Sequence, residues 1–312
     1  MTIVLIGDLA AAACESWRGH LCAHLPPGES LVLGSECGDK AAVDIALAAN
    51  PPWGELASYP NLRFVQSLWA GVDRLLGDPA LAKNITIARL IDPAMARSMA
   101  EGAVAATMFV HRQLPAYLRQ QHHRTWRQLP QPVASSRTVG VLGFGQMGQP
   151  VCTALATLGF RVHAWGQHPR SDTTIVYSWG DTGLEIMLAE AQILLNLLPL
   201  TPATTGILNL QLFAKLPKAA ALINLGRGAH LVDDDLLDAL SSEHLSHAVL
   251  DVFHQEPLAT NHPFWMHPQI TVLPHVAATT DPATAAPIAV QNVIAFRAGR
   301  PLTGLVSRSL GY

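Results

Sequence analysis

The chain has little charge and few cysteines, and each shortage excludes a class of function. Only 14% of its 312 residues are charged and the net charge is −3. That leaves no basic field for nucleic acid or an anionic membrane surface. Cys14, Cys22, Cys37 and Cys152 have no metal-ligand spacing. They read as reduced, mostly buried thiols of a cytoplasmic protein, with no metal site expected. No uncharged apolar run reaches the roughly 18 residues of a membrane-spanning helix, so no membrane span is expected. The opening segment MTIVLIGDLA lacks a basic n-region and meets Asp8 after a few apolar residues. It predicts a first strand rather than a signal peptide.

What is abundant is apolar. Hydrophobic residues make up 49% of a chain too long for one ordinary core, which points to two domains. The first ninety or so residues alternate β-like runs (Thr2–Ile6, Ser30–Leu33, Ile45–Leu47, Arg63–Gln66, Ile85–Ala88) with helical stretches. Asp92-Pro93 then opens a helical pattern over Ala94–Gln121, followed by a polar arm from His122 to Pro132. A second series begins at Arg137. Its strand candidates are Thr138–Leu142, Arg161–Trp165, Ile193–Leu197, Ala221–Leu225, His247–Asp251 and Ile270–Leu273. Helix-like stretches lie between most of them, which predicts a parallel, doubly wound sheet. A last helix over Pro282–Ala298 returns towards the first series. The expected division is 1–96 plus 281–312 as a substrate domain, and 97–280 as a dinucleotide-binding domain.

The segment Gly143-Phe144-Gly145-Gln146-Met147-Gly148 follows a strand and opens a helix. Gly143 permits a tight turn, Gly145 lets backbone approach a pyrophosphate, and Gly148 allows close packing of helix on strand. The helix N-terminus then favours the phosphates. An NAD site usually carries an acid about 20 residues beyond such a turn. Here Gly166 stands in that place, followed by Gln167, His168, Pro169 and Arg170, and the first acid is Asp172. Without that carboxylate a 2′-phosphate meets no repulsion, while Arg170 and His168 attract it. NADP(H) is therefore the preferred cofactor, with NAD(H) possible.

Three strand ends supply a reacting set: Asn224-Leu225-Gly226-Arg227-Gly228, Asp251 through Glu256-Pro257, and Leu273-Pro274-His275. Histidine titrates near working pH and suits protonation of an alkoxide formed by hydride addition. A carboxylate such as Glu256 orients the ring and raises its pKa. A guanidinium such as Arg227 clamps an α-keto acid, and Gly226 and Gly228 are expected to leave room for a ligand. His254 and His262 lie nearby without metal spacing and read as structural.

These segments, with Gln66-Ser67-Leu68-Trp69-Ala70-Gly71-Val72-Asp73, Leu198-Pro199-Leu200-Thr201-Pro202-Ala203-Thr204 and the terminal Gly311-Tyr312, resemble the D-isomer-specific 2-hydroxyacid dehydrogenase family. Within it they are most similar to the glyoxylate/hydroxypyruvate reductase A group. The resemblance implies a Rossmann cofactor domain inserted into a smaller flavodoxin-like α/β substrate domain. It also implies reduction of a small 2-keto acid, glyoxylate or hydroxypyruvate, to the D-2-hydroxy acid. His275 would be the general acid/base, Glu256 its partner and Arg227 the substrate clamp. The amides near Ala70 and Gly71 would hold the substrate carboxylate, with Trp69 lining the pocket. Asp251 would lie near the nicotinamide carboxamide, and the Leu198-Pro199 loop with Thr204 would cover the adenosine side. A homodimer with the His122–Pro132 arm contributing is implied as well. Two alternatives stand beside this reading. One is a reductase of larger 2-keto acids such as phenylpyruvate. The other is a dinucleotide-sensing, corepressor-like interaction protein.

Overall fold

In the computed structural model, which describes residues 2–171 and 175–312, the chain forms two compact units. One comprises the residues up to Met95 together with Thr280–Tyr312, the other Ala96–Thr279. In chain order the elements of the first are β1 (Thr2–Gly7), α1 (Ala11–His24), β2 (Ser30–Leu33), β3 (Val43–Ala49), β4 (Phe64–Ser67), α2 (Asp73–Leu76) and β5 (Thr86–Ala88). There follow α3 (Pro93–His111), α4 (Leu114–His122), β6 (Thr138–Leu142), α5 (Gly148–Thr157), β7 (Arg161–Gly166), β8 (Val176–Trp179) and α6 (Gly180–Glu190). Then come β9 (Ile193–Asn196), α7 (Leu210–Phe213), β10 (Ala220–Asn224), α8 (Asp233–Ser241), β11 (Leu245–Leu250) and β12 (Ile270–Val272). Finally α9 (Pro282–Arg297) belongs to the first unit.

The first unit's sheet runs β2-β1-β3-β4-β5 with every pairing parallel, the order of flavodoxin-like folds. Alternating residues of its strands enter two cores, as expected of a parallel sheet covered on both faces. Ile3, Leu5, Ile45, Leu47 and Phe64 meet Trp17 and Leu21 of α1 and Ala286, Ala289, Val290 and Val293 of α9. Val4, Ile6, Ala46, Ala48 and Val65 meet Leu56, Tyr59, Val72 and Leu75. Each large aliphatic side chain so buried contributes about 1.5–3 kcal/mol. Arg297 anchors α9 through ion pairs to Glu29 at 2.7 Å and to Asp44.

The second unit's sheet runs β12-β11-β10-β9-β6-β7-β8, all parallel. It has one more strand than the sequence reading counted. β8 is a short strand at the sheet's edge with no fully buried residue, and its only sequence mark is the brief run Ile175-Val176-Tyr177. On one face α3 and α5 pack Ala103, Val110, Val151 and Leu155 against Val139, Val141, Ile193 and Ile223. On the other, Met187, Phe213, Leu236 and Leu240 pack against Leu194, Leu222 and Ala248. The helical pattern over Ala94–Gln121 is not one helix. Gln113 takes a left-handed conformation (φ 57°) and Pro115 lies in the first turn of α4, so the chain breaks there. The arm that follows is largely exposed, with Trp126 97% accessible. Nor are the thiols mostly buried: Cys152 is, Cys14 and Cys37 are half-buried, and Cys22 is exposed. Burial pushes the Cys152 thiol up to about 12, which leaves it unreactive.

Candidate active site

β6 and β9 are neighbours although their connections leave the sheet in opposite directions, so the strand order reverses between them. Ligands of open α/β sheets bind beyond the carboxyl ends at such a point. The glycine turn is placed there. Gly143 has φ 99° and its N–H donates to the Trp165 carbonyl at 2.9 Å. A Cβ on Gly148 would lie 1.9 Å from the Gly143 oxygen, whereas one on Gly145 would meet nothing within 4 Å. So Gly148 lets the start of α5 sit on the turn, and Gly145 faces open space. The N–H groups of Gly145, Gln146 and Met147 make no hydrogen bond among the described residues. Free amides, open space and a helix N-terminus together fit a pyrophosphate.

The next chain segment leaving the sheet is Leu197-Leu198-Pro199, which abuts Gly143. Beneath it lies a fully buried polar network. Asn196 Nδ2 reaches Asn224 Oδ1 at 2.9 Å and His230 Nδ1 at 2.8 Å, and the Arg227 N–H donates to the same His230 Nδ1 at 3.1 Å. With Nδ1 accepting, Nε2 carries the proton and donates to the Pro199 carbonyl at 3.3 Å. His230 thus holds both the Pro199 loop and the Arg227 loop, a role that the sequence reading did not find. Thr204 is engaged inside the same loop, its hydroxyl donating to the Pro199 carbonyl at 2.7 Å.

Arg227 follows β10 and is half-buried, its Nη1 donating to the Gly226 carbonyl at 2.7 Å. The flanking glycines do not open space for a ligand, as the sequence suggested. A Cβ on Gly228 would lie 1.9 Å from the Phe253 backbone, and one on Gly226 would lie 2.8 Å from Asn196 Nδ2. They are required because neighbouring loops already occupy that volume.

His275 donates from Nδ1 to Glu256 Oε2 at 2.7 Å, while Glu256 Oε1 accepts the Phe253 N–H at 2.9 Å. The backbone of His275 is left-handed (φ 55°), a conformation costing a β-carbon residue about 1–2 kcal/mol. Asp251 holds it there. The Asp251 carbonyl accepts the His275 N–H at 2.9 Å, and its carboxylate accepts those of Val276 and Ala277 at 2.8 and 3.0 Å. Asp251 is 1% exposed, so its visible work is to aim the segment that carries His275. The hydrogen bond to Glu256 raises the His275 pKa above its ordinary value; burial and the Arg227 charge oppose this, and the Glu256 and Asp251 charges add to it. Burial works to raise the Glu256 pKa, but the His275 and Phe253 hydrogen bonds and the nearby His275 and Arg227 charges leave it lowered. Each partner thus favours the charged form of the other, imidazolium beside carboxylate. His254 and His262 each lie 3.5 Å from Asp233 at the start of α8, so they tie down the loop that carries Glu256. Among the described residues no three ligating side chains form a metal site.

Residues 104–277 match the family model for the D-isomer specific 2-hydroxyacid dehydrogenase NAD binding domain. The chain is also 40% identical over 96% of its length to a glyoxylate/hydroxypyruvate reductase A of Serratia proteamaculans, covering 96% of that protein. The chain belongs to the D-isomer-specific 2-hydroxyacid dehydrogenase family. A similar protein of Yersinia enterocolitica is 39% identical over 96% of both chains. Among solved structures, a family member from Xanthobacter autotrophicus in complex with NADPH superposes with a TM-score of 0.94 at 34% identity, over 100% of this chain and 99% of that one. An NADPH-dependent glyoxylate/hydroxypyruvate reductase from Sinorhizobium meliloti with NADP gives 0.91 at 32% identity, over 100% and 99%.

In this dehydrogenase the position of the missing ribose acid is also built in a particular way. Gly166 ends β7, and Gln167, His168 and Arg170 beyond it are exposed. Arg170 folds back over the glycine turn. Its guanidinium lies 5.5 Å from the Phe144 ring centroid and donates to the Phe144 carbonyl. In the first unit, Trp69, Ala70 and Gly71 follow β4 and are half-buried. The Trp69 ring packs edge-on against Trp17 at 6.1 Å, and its backbone bonds to Ser67 and Leu90. The N–H groups of Ala70 and Gly71 have no partner among the described residues.

Proposed function

We propose that this dehydrogenase reduces glyoxylate or hydroxypyruvate to the D-2-hydroxy acid with NADP(H), NAD(H) serving less well. The observation that carries this is the His275–Glu256 pair at 2.7 Å, with Arg227 close enough to bias both pKa values. The relatives named glyoxylate/hydroxypyruvate reductase support the substrate, and the NADPH- and NADP-bound neighbours support the cofactor.

Gly143, Gly145, Gln146, Met147 and Gly148 would cradle the pyrophosphate. Arg170, with Gln167 and His168 beside Gly166, would meet the 2′-phosphate. Leu198, Pro199 and Thr204 would line the adenosine side, and Asp251 would add a contact near the nicotinamide. When bound, the dihydronicotinamide supplies hydride to the substrate carbonyl carbon. Arg227 clamps the substrate's carboxylate and carbonyl oxygens and polarises the carbonyl. His275 Nε2 then gives its proton to the carbonyl oxygen, while Glu256 on Nδ1 keeps the ring oriented and holds the pKa high until transfer. The free amides of Ala70 and Gly71 take the substrate carboxylate, and Trp69 bounds the space for its side chain. The unit 96–279 acts as the dinucleotide domain and the other as the substrate domain.

We further infer a homodimer in which the arm near His122–Pro132 contributes, supported by the exposure of Trp126. A cytoplasmic location agrees with four cysteines free of disulfides. No helix among the described residues is long and apolar enough to cross a membrane.

The test is oxidation of NADPH and of NADH against glyoxylate, hydroxypyruvate, pyruvate and phenylpyruvate, with the product's configuration determined. Higher kcat/KM for the two small acids with NADPH, and an R product, is the expected result. Preference for phenylpyruvate would move the substrate reading to larger acids. Tight dinucleotide binding without turnover of any acid would favour a sensing protein. Sedimentation of the native chain tests the dimer.

A further inference from the structure

Tyr177 lies on β8, the strand that the sequence reading missed, opposite Ala164 of β7. Its hydroxyl donates to the His168 carbonyl at 2.6 Å. Its ring packs against Phe144 of the glycine turn, centroids 5.5 Å apart and planes tilted by 41°. On Phe144 also rests the Arg170 guanidinium. Phe144 thus touches both Tyr177 and the guanidinium, so the packing links the edge strand to the cation through the turn.

The same phenol closes the place of the ribose acid. A Cβ on Gly166 would lie 2.6 Å from the Tyr177 hydroxyl oxygen and 3.5 Å from the ring carbon that bears it. A hydroxyl at a side-chain tip often yields to a new neighbour. This one is held by a hydrogen bond at its oxygen and by Phe144 on its ring, so it does not yield cheaply. The absence of an acid at residue 166 is therefore not a vacancy that one substitution fills. It is a position occupied from the neighbouring strand.

We propose that Tyr177 is a specificity-determining residue for the dinucleotide. It bars a carboxylate from residue 166 and pins the Gln167–Arg170 loop through the His168 carbonyl, so that Arg170 stays over the turn to receive a 2′-phosphate. Selectivity for the phosphate-bearing cofactor is then a joint property of Gly166, Tyr177 and Arg170. The inference rests on the cofactor reading given above and adds the residue that enforces it.

Direct titration of the purified protein with NADPH and NADH, by fluorescence or calorimetry without substrate, tests this independently of turnover. Tyr177→Phe keeps the ring and removes the hydrogen bond. It should raise the Kd for NADPH about three- to tenfold while leaving that for NADH within about twofold. Gly166→Asp alone should weaken both dinucleotides, since the new side chain strikes the phenol. Gly166→Asp with Tyr177→Ala should bind NADH at least about fivefold more tightly than Gly166→Asp alone. The proposal is overturned if Gly166→Asp alone gains NADH affinity as fully as the double variant. It is also overturned if Tyr177→Phe leaves both Kd values unchanged, with melting temperatures confirming that each variant folds. A wild-type preference for NADH would instead defeat the underlying cofactor reading, whatever the variants do.

Discussion

The carboxyl edges of the two sheets offer different kinds of group. Beyond β4 the five-stranded sheet presents backbone: the free N–H groups of Ala70 and Gly71, steadied by Ser67 and Leu90. Beyond β10, β11 and β12 the seven-stranded sheet presents side chains, the guanidinium of Arg227, the carboxylate of Glu256 and the imidazole of His275. Backbone donors neither titrate nor change with most substitutions, so they suit recognition of an anion common to all substrates. Side chains with displaced pKa values suit proton transfer and are open to mutation. Substitutions should therefore act strongly and with pH dependence at the second edge, and weakly and without it at the first.

The largest effect is expected at the proton donor. His275→Gln should lower kcat by about 10²–10⁴, the usual worth of a general acid, while the Kd for NADPH in a binding titration stays unchanged. A variant with near-normal turnover would transfer the role to another group. Arg227→Lys keeps the charge and loses the bidentate fork. It should reduce kcat/KM for glyoxylate by roughly 10², raising KM and lowering kcat together. If only kcat moved, Arg227 would not be holding the ground-state substrate.

Glu256→Gln should cost less in rate, about tenfold, but it carries the clearest signature. Reduction needs imidazolium, so the rate falls as pH rises through the His275 pKa, which Glu256 holds above its ordinary value of 6.5. Removing the carboxylate should shift that alkaline limb of kcat/KM to lower pH. An unmoved limb would show that the partner only packs. The pair also contributes to stability. The contribution is full between the ordinary Glu and His pKa values. It is lost as pH falls through the lowered Glu256 pKa, or rises through the raised His275 pKa. The smallest effect belongs to the other edge. Trp69→Phe should change the ratio of kcat/KM for glyoxylate and phenylpyruvate by about two- to fivefold, with the pH profile unaltered. A large or pH-dependent loss there would break the distinction between the two edges.

Most strands were legible because buried parallel strands are nearly continuous apolar runs, and Ser30–Leu33 and Thr138–Leu142 agree to the residue. The break at Gln113 was not, since a left-handed residue between two apolar helical stretches leaves no gap in the pattern. The glycine turn and the set of Arg227, Glu256 and His275 stood out as residue types at strand ends. The network beneath them did not. Asn196, Asn224 and His230 become a unit only once β9 and β10 lie side by side. Asp251 likewise gave no sign in sequence that its carboxylate would cap Val276 and Ala277. Tyr177 was invisible for two reasons: its strand is short and half-exposed, and its contact to Gly166 spans a strand pairing.

Gly228 has a consequence for anyone who wishes to widen the enzyme's choice of acid. Its missing side chain is a shared wall one atom thick between the loop of Arg227 and the loop of Phe253. Saturating that position would sample misfolded loops rather than new pockets. The room for redesign lies in the length and shape of residues that face open space, and a library drawn around Arg227 should treat its two glycine neighbours as fixed masonry.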